Sequence, residues 1–497
     1  MRKKRLVLNT ATALLNQIIS LVCGFILPRQ ILLAYGSDIN GLVSSITQFL
    51  GFVTFLDMGV GAVVQSTLYK PIAEKDEDSI SRIIIAANKF FRKIAAILIA
   101  YTLFLMFFFP TFVDSGNGFV STAILVLAIS ISSIGQYLFG ITKQLLLNAD
   151  QKSYAQLIPQ SVVTILNIIV SVILISGGAS INLVKLVSAA VFLIRPLWMS
   201  IYVKKNYNID YKIELKKDPL EQKWNAMAQH VATFVADKTD IMILTLFSTL
   251  TNVSIYYVYH LVVNGLYQTF GVVTSSLQSF FGDMYAKNEM DKLRNTYGVF
   301  EWAIHTGLVF IFACTEVLIL PFVEVYTNGV NDANYIVPAF AAVITIAFAG
   351  SCLRSFYNIL IKSVGHYKQT QMSAIIEALL NLIISVALVY KFGLIGVAIG
   401  TLVSMFYRSI HLKIYTDLKI LNQSVLPFIK QCMIDLVLFI LIIFTTNKFS
   451  LNAISYLAWI ILALKVVAVA LVLIIVINMI FYRKNIFVMI KMIRPRK

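Results

Sequence analysis

The chain has 497 residues, of which 59% are hydrophobic and 13% are charged, and its formal net charge is +17. A mean hydropathy of +0.81 excludes an ordinary soluble protein of this size and indicates a polytopic membrane protein. The positive charge would also suit nucleic-acid binding, but the placement of the Lys and Arg residues argues against that function.

Long apolar runs separated by short polar breaks predict fourteen transmembrane helices. The predicted spans are 8–33, 40–66, 92–113, 119–142, 156–176, 182–203, 224–250, 254–282, 298–323, 335–360, 370–390, 395–411, 431–447 and 453–482. The first run directly follows MRKKR, so we expect a retained span instead of a cleaved signal peptide.

Lys and Arg are distributed unequally between the two sides of the predicted membrane. The side of the amino terminus, which includes segment 408–430, holds 33 of the 41 residues, whereas the opposite side holds only Lys391 and Lys448. Because short cytoplasmic segments are enriched in Lys and Arg, both termini of this cell-membrane protein are predicted to be cytoplasmic. The cations then face the anionic inner leaflet, and no nucleic-acid partner is expected.

Similar segments recur at an offset near 214 residues. NIIVSVIL, which begins at Asn167, resembles NLIISVAL, which begins at Asn381, and connector 73–83 resembles 286–296. An offset of six spans predicts two parallel repeats related by an axis along the membrane normal. The predicted domains are an amino-terminal lobe (1–203), a cytoplasmic linker (204–223), a carboxy-terminal lobe (224–415) and two additional helices with a basic tail (416–497).

The seventh predicted span carries several ionisable residues. His230, Asp237 and Asp240 share one narrow helical stripe, and Lys238 lies about 100° from Asp237. A charge at the centre of a membrane helix costs about 2.5–3.5 kcal/mol on insertion scales, so these residues need a physical reason. They either pair with other buried groups or line a polar cavity through which a hydrophilic group passes.

A cavity is the favoured interpretation of this stripe. The first span, which is the predicted repeat partner of the seventh, has a polar stripe of its own that includes Asn16. Two related lobes with facing polar stripes are the arrangement of a transporter. Ile243 and Leu244 of the seventh span are expected to face lipid.

Other polar residues within the spans extend the candidate site. Arg29 lies towards the outer end of the first span and is either an interfacial anchor or a cavity cation. Arg354 of the tenth span either faces a polar lumen or pairs with an acid such as Glu377 of the eleventh. Asn264 and Gln268, one turn apart in the eighth span, are suited to lining a polar path.

The sequence predicts no enzyme and no cofactor. The five histidines lack the spacing of HExxH, and there is no GxxxxGK[ST] motif for nucleotide phosphates. The four cysteines lie within apolar runs without metal or disulfide spacing. The predicted outer loops are too short for the catalytic part of a membrane glycosyltransferase or ligase.

Three stretches resemble a known family. NGLVSSITQFLGFVTFLDMGVGAVVQSTLYKPIAEKDEDSIS (40–81), ADKTDIMILTLFSTLTNVSIYYVYHLV (236–262) and SLQSFFGDMYA (276–286) are similar to polysaccharide-repeat-unit flippases of the Wzx type, in the MOP exporter superfamily. The resemblance covers spans one to twelve. It implies an all-α, MATE-like fold of two six-helix lobes, followed here by two extra helices.

The resemblance also implies a function. The substrate would be an undecaprenyl-pyrophosphate-linked oligosaccharide, moved from the cytoplasmic to the outer leaflet by alternating access for capsular or exopolysaccharide synthesis. Arg29, Lys238 and Arg354 are candidate ligands of the pyrophosphate, whereas Asp237 and Asp240 either accept sugar hydroxyls or bind a coupling H⁺ or Na⁺.

Partners and alternatives follow from the same resemblance. Membrane lipid, a polysaccharide polymerase and glycosyltransferases are candidate partners. A cation-coupled drug exporter of the MATE type, or a flippase of another lipid-linked precursor such as a teichoic acid or lipid II, is the alternative function.

Overall fold

The computed structural model of the chain describes residues 2–53, 60–114, 116–213 and 238–493. Every regular element in these ranges is helical, which confirms the predicted all-α fold. Eleven of the described helices are long and apolar enough to cross a membrane, so the chain is a multi-pass membrane protein. The count of fourteen stays a prediction, because most of span 224–250 lies outside the described residues and the first two spans share one helix.

The chain forms two compact units, Met1–Ser254 and Ile255–Lys497. The first unit contains α1 (Arg2–Phe52), α2 (Val60–Glu74), α3 (Glu77–Phe112), α4 (Phe119–Gly135), α5 (Ile141–Ala149), α6 (Tyr154–Ser176), α7 (Ile181–Asn206) and α8 (238–247). A π-helical turn, Gln136–Gly140, joins α4 to α5. The predicted lobe boundaries at 203 and 224 stay predictions, since the first unit continues through α8.

The boundary between the two units lies within α9 (Leu250–Ala286). The first turn of α9 belongs to the first unit, and the rest of the helix begins the second unit. It contains α10 (Met290–Tyr326), α11 (Pro338–Ser363), α12 (Tyr367–Phe392), α13 (Leu394–Tyr415), α14 (Leu426–Thr446), α15 (Tyr456–Phe481) and α16 (Arg483–Ile493). Within it, α13 packs against α11 and α12, and α10 packs against α14 and α15.

The first two predicted spans are continuous in α1, which bends sharply at Gly36. This residue has φ 84° and ψ 178°, a conformation that glycine adopts without the clash of a Cβ atom. The bend lies within the short polar break that the sequence predicts between residues 33 and 40. A single glycine therefore turns the backbone between the two spans.

Close packing of α12 and α13 depends on glycine. Gly396 and Gly400 form a GxxxG pattern on α13. A Cβ atom on Gly396 would lie 2.5 Å from the Leu388 carbonyl oxygen, and one on Gly400 would lie 2.1 Å from Ser385 Oγ. The absence of side chains here lets the two helices approach closely enough to align their polar residues.

The helix of the twelfth span is longer than the predicted range 395–411. It continues to Tyr415 and then into a second π-helical turn, Thr416–Ile420. Two cations that were counted with the cytoplasmic segment 408–430, Arg408 and Lys413, are buried side chains of this helix. Arg408 also lies within the predicted span. Their charges ended the apolar run in the sequence although the helix continues within the protein interior.

Candidate functional site

Two arginines and one glutamate form a buried ionic group between α11, α12 and α13. Arg354 Nη1 lies 2.7 Å from Glu377 Oε1, and Arg408 Nε lies 3.6 Å from Glu377 Oε2. No side chain of the three is more than 8% exposed. Arg408 also donates to the Thr370 carbonyl at 2.8 Å and to Ser373 Oγ. Two guanidiniums and one carboxylate give the group a formal charge of +1.

This group answers the question that the sequence leaves open for Arg354. Arg354 and Glu377 are a direct ion pair, the second of the two predicted alternatives. The additional cation, Arg408, was not predicted as a site residue because it was counted with the cytoplasmic segment 408–430. A role of Arg354 in binding an anionic substrate stays a prediction.

Asn167 and Asn381, the predicted repeat counterparts, make similar contacts within their own units. Asn167 Oδ1 accepts a hydrogen bond of 2.5 Å from Ser188 Oγ, which links α6 to α7. Asn381 Nδ2 donates to Thr401 Oγ1 at 3.1 Å, which links α12 to α13. An amide of the fifth predicted span therefore binds a hydroxyl of the sixth, and an amide of the eleventh binds a hydroxyl of the twelfth.

Helix α8 carries the described part of the predicted stripe in the seventh span. Asp240 is buried, and Lys238 is half-buried and accepts at its carbonyl oxygen a hydrogen bond of 2.9 Å from Gln48 Nε2 of α1. A second contact joins the same helices, since Ser45 Oγ and Thr245 Oγ1 are 2.7 Å apart. His230 and Asp237 lie outside the described residues.

The prediction that Ile243 and Leu244 of α8 face lipid is wrong. Ile243 is 3% exposed and Leu244 is 0% exposed, so both are buried. Leu246, at 48% exposed, is a surface position of this helix. The charges of the span suggested that its apolar residues face lipid, whereas packing against neighbouring helices covers much of α8.

The remaining predicted site residues occupy varied environments. Asn16 is half-buried, and its Oδ1 atom accepts a hydrogen bond of 3.1 Å from Ser161 Oγ of α6. Arg29 is half-buried in α1, Asn264 is half-buried in α9, and Gln268 is exposed. The eight described candidates divide between the units: Asn16, Arg29, Lys238 and Asp240 lie in the first, and Asn264, Gln268, Arg354 and Glu377 lie in the second.

A second buried ionic group, which was not predicted from the sequence, joins α10 to the end of α13. Lys413 Nζ lies 2.6 Å from Glu301 Oε1 and 2.7 Å from Asp417 Oδ1. Lys413 and Asp417 are each 1% exposed. The spacing of four residues between Lys413 and Asp417 was the available sequence signal, since such residues share a helix face.

His305 and Asp435 extend this ionic group towards α14. His305 Nδ1 lies 2.5 Å from Asp435 Oδ2, and His305 Nε2 lies 2.6 Å from the Tyr357 hydroxyl of α11. Gln431 Nε2 donates to the other carboxylate oxygen of Asp435 at 2.8 Å. The contact between His305 and Asp435 joins residues 130 positions apart, so no local motif could have predicted it.

In the first unit, contacts around Asp150 fasten the start of α1 to the end of α7. The Asp150 carboxylate lies 2.7 Å from Lys152 Nζ and 3.6 Å from Arg5 Nη1. It also accepts a hydrogen bond of 2.6 Å from the hydroxyl of Tyr207, which follows α7. Burial raises the pKa of Tyr207 above its ordinary value, and the hydrogen bond to Asp150 adds to this effect.

Solved membrane-transport proteins share this fold, although no protein-family model and no curated protein matches the chain. A structure of the lipid II flippase MurJ in an inward closed conformation has a TM-score of 0.71 at 16% identity, covering 97% of this chain and 100% of that one. An inward-facing multidrug resistance MATE family transporter of the MOP superfamily has a TM-score of 0.66 at 12% identity, covering 81% and 94%. An outward-facing MATE family transporter has a TM-score of 0.55 at 12% identity, covering 85% and 97%. The predicted MATE-like fold is therefore confirmed.

Proposed function

We propose that the chain is a flippase that moves a lipid-linked, anionic oligosaccharide precursor across the membrane by alternating access of its two lobes. The observation that carries this proposal is the extent of the structural match. The lipid II flippase MurJ matches 97% of the chain, whereas the two MATE family transporters match 81% and 85%. A flippase of a lipid-linked precursor thus accounts for more of this chain than a drug exporter does.

The substrate we propose is an undecaprenyl-pyrophosphate-linked oligosaccharide. Support comes from the resemblance of segments 40–81 and 236–262 to polysaccharide-repeat-unit flippases, and from cations within the predicted spans. The buried group of Arg354, Glu377 and Arg408 has an excess of one positive charge, which would favour a nearby pyrophosphate. The prenyl chain would remain in lipid, so the protein would need to shield only the polar part of the substrate.

Proteoliposomes that contain the purified protein alone test this function. A fluorescent undecaprenyl-pyrophosphate oligosaccharide would be placed in both leaflets, and its accessibility to an added glycosidase would be followed over time. We expect complete digestion in proteoliposomes and about half digestion in protein-free liposomes, because only a flippase exposes the inner-leaflet pool. Half digestion in both preparations contradicts the proposal.

Parallel arms separate the alternatives. Lipid II and a teichoic acid precursor replace the oligosaccharide lipid in two of them, and a cationic dye tests drug export in a third. Movement of the dye without movement of any lipid-linked substrate would identify the chain as an exporter of the MATE type.

A further inference from the structure

The ionic group that joins α10, α11, α13 and α14 contains more acids than bases. Its carboxylates are those of Glu301, Asp417 and Asp435, and its single permanent cation is Lys413. His305 is the fifth member, and it is 2% exposed. With a neutral histidine the formal charge is −2, which is unfavourable inside a membrane-spanning bundle.

His305 is held so that it can gain a proton without losing a hydrogen bond. An ionised Asp435 carboxylate only accepts, so with Asp435 in this form Nδ1 carries a proton and donates to it. Nε2 of a neutral ring accepts from the Tyr357 hydroxyl, whereas Nε2 of a protonated ring donates to the same oxygen. Uptake of one proton therefore reverses one hydrogen bond and lowers the negative charge of the group by one.

The charged groups that surround His305 include more acids than bases. Asp435 faces it from α14, Glu301 lies one turn away on α10, and Asp417 follows α13. Lys413 of α13 contributes the positive charge that partly balances these three carboxylates. Tyr297 of α10, Tyr357 of α11, Cys432 of α14 and Tyr482 after α15 are further titratable groups around the cluster.

Two further observations concern how water could reach the ionic group. A cavity of about 240 Å³ reaches His305, Cys432 and Asp435 and is otherwise lined by apolar side chains. In addition, the fully buried Tyr297 hydroxyl, one turn before Glu301, makes no hydrogen bond within the described part of the chain. The cavity is large enough for water at its polar end.

We infer that His305 and Asp435 form a proton-binding site, where His305 Nε2 takes up and releases one proton during each transport cycle. The proton enters from water in the adjoining cavity, and Tyr357 changes from donor to acceptor as it binds. Because Asp435 is on α14, the protonation state controls how firmly α14 is held to α10 and α11. The link to transport rests on the proposed function, whereas the proton site itself does not.

Nitrogen NMR of histidine-labelled protein in lipid nanodiscs tests the site directly. The chain has five histidines, and His305→Gln assigns the signal of His305 by its loss. If the site exchanges a proton, the ring-nitrogen signals of His305 change with pH within the measured range of about pH 5 to pH 8. Asp435→Asn should alter this transition, because it removes the carboxylate that contacts Nδ1, while His411→Gln, outside the group, should not. A His305 ring that keeps one protonation state across this range overturns the site.

Flipping assays at several pH values test the coupling. We expect the transport rate of the natural chain to depend on pH and this dependence to be lost in His305→Gln but kept in His411→Gln. An unchanged pH profile in His305→Gln overturns the coupling. If the natural chain moves no lipid-linked substrate at all, the proposed function fails, and the NMR titration still decides whether His305 binds the proton.

Discussion

Arg354 Nη1 lies 2.7 Å from Glu377 Oε1, and the same carboxylate lies 3.6 Å from Arg408 Nε, so two cations share one acid. Removal of one partner from a buried ionic group leaves an uncompensated charge, which destabilises the protein more than the intact pair stabilises it. Since the three residues are not equivalent, their substitution should have unequal effects.

Glu377→Gln is expected to be the most destabilising of the single substitutions. It would leave the guanidiniums of Arg354 and Arg408 without their shared carboxylate, at a cost of about 3–5 kcal/mol. Arg354→Gln should cost less, because Arg408 still neutralises Glu377. Unfolding of the detergent-solubilised variants would measure the difference, and equal losses for the two substitutions would contradict this charge balance.

Substitution of Arg354 also tests its predicted contact with pyrophosphate. We expect Arg354→Gln to accumulate in the membrane but to lose flipping, and Arg354→Lys to keep partial activity, because lysine retains the charge without the planar bidentate geometry. The readouts are membrane abundance and flipping in proteoliposomes. Normal flipping by a well-expressed Arg354→Gln would exclude the residue from the substrate site. Loss of both abundance and flipping in Arg354→Gln would instead assign the residue a structural role.

The close crossing of α12 and α13 predicts that Gly396→Ala destabilises the second unit. The added Cβ atom would lie 2.5 Å from the Leu388 carbonyl oxygen, and a backbone atom cannot move aside without shifting a helix. We expect a loss of about 1–3 kcal/mol in the free energy of unfolding. Gly307→Ala is the matched control, because a Cβ atom there meets no atom within 4 Å. Equal stability of the two variants would show that α12 and α13 have room for the added methyl group and would contradict this close crossing.

Features that depend on local composition could be predicted from the sequence. The apolar runs predicted most of the helix positions, and the break between residues 33 and 40 predicted the turn that Gly36 makes. The pairing of Arg354 with Glu377 was one of two alternatives, because a buried charge requires either water or an opposite charge.

Features that depend on tertiary packing could not be predicted in the same way. Lys413 was assigned to a loop because its charge ends an apolar run, yet Glu301, 112 positions away, neutralises it inside the second unit. His305 and Asp435 likewise meet only because α10 packs on α14. Long-range compensation of charge leaves no pattern in either segment alone.

The contacts of Asp150 predict a stabilising role for the Tyr207 hydroxyl that is lost at high pH. Because the pKa of Tyr207 is raised in the folded state, its contribution is complete below the unfolded pKa of about 10 and disappears as the pH rises through the folded value. Tyr207→Phe should lower the free energy of unfolding by about 1 kcal/mol at neutral pH. Above about pH 10, the free energy of unfolding should decline less in this variant than in the natural chain. Tyr69→Phe, at a tyrosine that is 55% exposed, serves as the control. The same alkaline decline in the natural chain and in Tyr207→Phe would exclude this role.

The stripe of the seventh span predicts water access at His230 and Asp237. In a chain whose four cysteines have been replaced, we expect single cysteines at these positions to react with a water-soluble thiol reagent faster than a cysteine at Leu246, an exposed position of α8. Leu246 replaces Ile243 and Leu244 as the reference, because both of those are buried. A cysteine at Asp240 should react slowly, since that side chain is 8% exposed, and faster once substrate transport opens a polar path beside it. If the cysteines at positions 230 and 237 react no faster than the one at position 246, the stripe does not line a cavity, and its charges serve to pair buried groups.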